Sequence, residues 1–72
     1  MKKYKVTLLF KNETILEFTL NSDSLKKCRL TVFPQKYGVE EYYFLELVDA
    51  DGKEVMYAYK LKEIVSMTVK EI

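Results

Sequence analysis

Residues 42–60 read Tyr42-Tyr43-Phe44-Leu45-Glu46-Leu47-Val48-Asp49-Ala50-Asp51-Gly52-Lys53-Glu54-Val55-Met56-Tyr57-Ala58-Tyr59-Lys60, and the closure of the central turn decides which side chains share a face. Two apolar runs flank Asp49–Lys53, a cluster of turn-forming residues, which marks a β-hairpin. A two-residue Asp-Gly loop would place Val55, Tyr57 and Tyr59 on the face of Glu46. A type I turn closed by Gly52 as a left-handed bulge places them with Tyr43, Leu45 and Leu47 instead, and turns Glu46, Glu54, Met56 and Ala58 away. The bulged register sorts apolar from polar side chains and is the expected one. Tyr42–Val48 is almost uninterruptedly apolar, as suits a strand covered on both faces, whether central or at an interface.

Working outward, apolar residues alternate with period two nearly everywhere except residues 21–27. Tyr4, Val6, Leu8 and Phe10 form one face of a first strand. Asn12 and Glu13 turn the chain, and Leu16, Phe18 and Leu20 form one face of a second. Asn21-Ser22-Asp23-Ser24 is dense in side chains that bond backbone N–H groups, so it caps a short helical turn over Leu25–Cys28. Alternation resumes over Arg29–Phe33 and stops at Pro34, which cannot donate to a ladder. A long loop, Pro34–Glu41, carries Lys36 and Tyr37. After the hairpin, Lys60–Glu63 breaks the alternation as a 3₁₀ turn, and Val65, Met67 and Val69 share a face of the last strand. The expected fold is all-β: a single domain over residues 1–72, a small and strongly bent antiparallel sheet or an SH3-like barrel of about six strands, with one short capped helical turn. Closing the barrel would remove exposed edges.

Composition limits the chemistry. A chain of 72 residues has room for one small core, which rarely supplies more than about 3–5 kcal/mol by itself. The single cysteine, Cys28, rules out an internal disulfide, and the absence of histidine removes structural zinc and the Ser-His and Cys-His nucleophile systems. Self-association is the remaining stabiliser, so a homo-oligomer is expected. No apolar run approaches the roughly 20 residues that span a bilayer, and Met1-Lys2-Lys3 leads into an alternating segment rather than a signal peptide. These features are read as a cytoplasmic protein without membrane contact, without a cofactor and without enzymatic activity. Asp49-Ala50-Asp51-Gly52 opens like a calcium loop but lacks the closing glutamate, so no metal site is expected.

Two sets of residues are candidates for binding. Residues 1–36 hold eight lysines or arginines against three acids, and residues 37–72 hold four against eight, giving +5 and then −4. Lys26, Lys27 and Arg29 beside the capped turn, with Lys36, Tyr37 and Tyr42 around the long loop, form the candidate anion site; the tyrosines would stack on bases. The competing reading is that strands of the two halves interleave and mix their charges into a solvated surface. The second set is Leu9, Ile15, Phe33, Phe44, Val48 and Met56, the apolar residues left on second faces once the core is assigned. They point to a protein interface or to barrel curvature. Cys28 is read as a small buried hydrophobe.

The two hairpins, the 3₁₀ break at Lys60-Leu61-Lys62-Glu63 and the final short strand give a layout that resembles SH3-like or Sm-like small barrels. The short, lysine-rich chain also resembles orphan accessory proteins of Gram-positive phages and mobile elements, some of which inhibit host enzymes or sequester signalling nucleotides. That resemblance implies a non-catalytic protein-binding accessory or inhibitor whose partner is a host protein. The alternative is an oligomeric anion binder that takes a nucleotide or single-stranded nucleic acid.

Overall fold

The computed structural model describes residues 1–34, 41–49 and 52–72. Five strands, one helix and one 3₁₀ turn follow in the order β1 (Lys2–Phe10), β2 (Ile15–Ser22), α1 (Leu25–Val32), β3 (Tyr42–Val48), β4 (Glu54–Lys60), the 3₁₀ turn (Leu61–Glu63) and β5 (Ile64–Glu71). All ladders are antiparallel. They build a three-stranded sheet, β2-β1-β5, and a two-stranded sheet, β3-β4.

The inner faces of the two sheets enclose one core. Tyr4, Val6 and Leu8 of β1, Phe18 and Leu20 of β2, Leu45 of β3 and Tyr59 of β4 are buried together with Cys28, Val32 and Leu61. Aromatic rings join the layers: Phe18 stacks on Tyr57 at 4.8 Å between centroids, and Phe10 lies 6.0 Å from Tyr59. Strands of period two on both layers bury one face each, which is why alternation identified Tyr4, Val6, Leu8, Phe18 and Leu20 as inward.

The bulged register of the second hairpin is present, with Tyr43 opposite Tyr59, Leu45 opposite Tyr57 and Leu47 opposite Val55. Gly52 has φ +79°, its N–H donates to the Asp49 carbonyl, and Asp49 N–H donates to Lys53 O at 2.9 Å. The first hairpin repeats the construction without glycine. Glu13 has φ +69°, its N–H donates to Phe10 O, and Phe10 N–H donates to Thr14 O. Each turn is also braced by a side chain: Asn12 Oδ1 accepts from Thr14 N–H and Asp49 Oδ1 from Lys53 N–H, both at 3.0 Å. Opposite substitutions should therefore have opposite signs. An added Cβ at Gly52 meets nothing within 4 Å, so Gly52→Ala should cost about 1 kcal/mol of purely conformational origin. Glu13→Gly should stabilise by about 0.5–1 kcal/mol. Urea midpoints that move in the same direction for both would contradict the shared turn geometry.

Four expectations are corrected. Among the described residues the strands number five rather than six, because Arg29–Phe33 is not a strand: α1 runs to Val32, with Ser24 as N-cap accepting from Lys27 N–H. No ladder joins the two sheets among the described residues, so the barrel is not closed. Of the two alternatives for β3, the central one is overturned, since among the described residues it pairs with β4 alone and Phe44 on its outer face is 57 % exposed. In β5 the register shifts so that Leu9 faces Ser66 and Phe10 faces Ile64, leaving Val65 as the extra residue. That bulge reverses the alternation, so Ile64 packs on the core and Val65 is exposed.

Candidate interaction surface

The bulged turn determines the chemistry of the outer face of β3-β4. Tyr42 stands opposite Lys60, Phe44 opposite Ala58, Glu46 opposite Met56 and Val48 opposite Glu54. Phe44, Val48 and Met56 are each more than half exposed, as is Tyr42. Lys60 Nζ lies 5.1 Å from the centroid of the Tyr42 ring, a cation–π contact at one end of the face. At the turn end, Glu46, Val48, Glu54 and Met56 border an open depression of about 520 Å³. Such a depression is too shallow to bury a small molecule, whose sites enclose most of the ligand.

The six apolar candidates do not form one patch. Phe44, Val48 and Met56 gather on the outer face of β3-β4. Leu9 and Ile15 are cross-strand partners on the outer face of the three-stranded sheet. Phe33 follows α1 and packs against the core, so its assignment to a second strand face is corrected.

The anion-site candidates are also separated. Lys36 and Tyr37 lie outside the described residues. Helical spacing puts Lys26 and Arg29 on one side of α1 and turns Lys27 away from them. Lys27 Nζ is 3.3 Å from Asp23 Oδ2, and its N–H is taken by Ser24 Oγ. Tyr42 lies in the other sheet, next to Lys60. Elsewhere the charges mix, as Lys2 pairs with Glu71 at 3.8 Å and Lys5 with Glu17 at 3.3 Å. One cationic group escaped sequence reasoning: the β1–β5 ladder sets Lys5 directly opposite Lys70, and Lys3 lies on the same outer face. Only a long-range pairing brings Lys70 there.

The chain matches no protein-family model, no curated protein and no solved structure. No helix among the described residues is long and apolar enough to cross a membrane.

Cys28 sits inside the core with no exposed surface, and burial pushes its thiol pKa up. A thiol without solvent contact or an activating partner reacts only when the fold opens. Ellman's reagent should therefore label Cys28 far more slowly in buffer than in denaturant. Immediate stoichiometric labelling of the native protein would contradict its placement.

Proposed function

We propose that the chain is a non-catalytic protein-binding module of the accessory or inhibitor type, which engages its partner through the outer face of β3-β4. The observation that carries this reading is the cluster of Phe44, Val48 and Met56, uncovered on a single hairpin face. Contiguous exposed apolar groups of this kind mark interaction sites in soluble proteins. Glu46 and Glu54 interrupt the cluster, so the complementary surface carries apolar side chains beside lysine or arginine. The fitting test compares immobilised wild type with a Phe44→Ser/Met56→Ser variant whose fold is verified by circular dichroism. A partner retained by the wild type and lost from the variant supports the reading; identical protein sets on both columns would sink it.

The anion-binding alternative rests on Lys3, Lys5 and Lys70, which share the outer face of β1-β5, with Glu17 already paired to Lys5. Nucleotides and short oligonucleotides titrated at low and then moderate salt test it. Absence of binding at low salt removes this alternative.

A further inference from the structure

β4 leaves one edge unpaired among the described residues. Its only ladder among the described residues is with β3, and its seven residues keep unbroken register with no proline and no bulge. The free edge of β5, by contrast, is distorted by the Val65 bulge. An unguarded edge presents a row of unpaired N–H and C=O groups that template another strand.

The hydrogen bond from Asp49 N–H to Lys53 O shows which groups these are. Bonded and unbonded pairs alternate along an antiparallel ladder. With Asp49 and Lys53 bonded, Val55, Tyr57 and Tyr59 direct their amides toward β3. Glu54, Met56, Ala58 and Lys60 direct theirs toward the open edge. The strand reads Glu54-Val55-Met56-Tyr57-Ala58-Tyr59-Lys60, with opposite charges placed symmetrically about Tyr57.

We propose that β4 pairs with β4 of a second copy of this chain, antiparallel about a two-fold axis at Tyr57. Glu54 then faces Lys60 of the partner subunit, and Met56 faces Ala58 of the partner subunit. All four residues direct amides to the edge, so the backbone bonds form along with the ion pairs. Val55, the inner-face residue of β4 that lies outside the core cluster, comes beside Tyr59 of the partner subunit. A shift of two residues separates Glu54 from the partner's Lys60 at both ends. A shift of one sets edge-directed amides against inward-directed ones. Charge and hydrogen bonding therefore select the same register. The contact is isologous and consumes both β4 edges, so assembly stops at two copies. The two hairpins become one four-stranded sheet, which sets two copies of the Phe44–Met56 face side by side.

Sedimentation of the full chain between about 1 and 100 µM tests this, with wild type expected to approach twice 8.6 kDa. Glu54→Lys and Lys60→Glu each turn two attractive cross-strand pairs into two repulsive ones and should raise the dimer Kd roughly tenfold or more. The combined Glu54→Lys/Lys60→Glu variant exchanges the charges and should return Kd to within about threefold of wild type. Ala58→Pro removes an edge N–H that β3 does not use, and should yield a monomer with unchanged far-UV circular dichroism. A wild type that stays monomeric throughout overturns the proposal. So does a dimer indifferent to both single reversals, or one that the charge exchange fails to restore.

Discussion

Leu8→Ala is expected to lower the unfolding free energy by about 3–4 kcal/mol, whereas Leu9→Ala, at the next position of the same strand, should cost under about 1 kcal/mol. Leu8 has no exposed surface, and β1 lies between β2 and β5, so its side chain sits at the centre of the layer facing β3-β4. Removing its methyl groups takes away burial and leaves a cavity that two hydrogen-bonded neighbours hold open. Leu9 points to the opposite face, where it meets Ile15 and Ser66 and remains partly in water. A domain of this size has a total stability of order 5 kcal/mol. Leu8→Ala should therefore leave a population partly unfolded at 25 °C, while Leu9→Ala shifts the urea midpoint only slightly at unchanged slope. The comparison belongs at one protein concentration, since self-association would add to apparent stability. Equal losses at the two positions would mean that the sheet is buried on both sides.

What the sequence reveals of this fold is local, and what it conceals depends on distant partners. Both hairpins, the inward face of β1 and β2, the left-handed Gly52 and the 3₁₀ turn follow from period two and turn chemistry. Arg29–Phe33 misleads because Leu30 and Val32 satisfy a period of two, while Cys28 and Val32 satisfy the helical spacing of four just as well. Five residues cannot separate the two periods. The helix is decided by burial of Cys28 and Val32 and by groups arriving from β3 and β4, which no local window contains. The Val65 bulge is equally silent, because it compensates a register set by pairing with β1. For the candidate surface, the grouping of Phe44 with Met56 follows from the turn type alone. The separation of Leu9 and Ile15 from them required knowing that the ladders form two sheets.

Tyr59→Phe is expected to cost about 1–3 kcal/mol, several times the effect of an ordinary surface substitution. α1 is only eight residues long, too short to persist alone, and its last carbonyls have no helical donors. Two tyrosine hydroxyls supply them: Tyr43 donates to the Thr31 carbonyl, and Tyr59 donates to the Val32 carbonyl at 2.6 Å. The rings meet edge to face, 5.7 Å apart, so the helix end is clamped to the inner face of β3-β4. Tyr59 is buried, and its loss would strand the Val32 carbonyl out of reach of water. Tyr43→Phe should cost less, about 0.5–1.5 kcal/mol, because the Thr31 bond is exposed and water can replace the hydroxyl. Burial, with a smaller contribution from Tyr43, pushes the Tyr59 pKa up, which favours the neutral phenol in the fold. A raised pKa contributes stability that is complete below the unfolded value of about 10 and is lost as pH rises above it. Phenylalanine has no such loss, so the gap between wild type and Tyr59→Phe should narrow above pH 10. A gap that stays constant through that range would mean that the phenol is hydrated, and that α1 is held to the hairpin by packing alone.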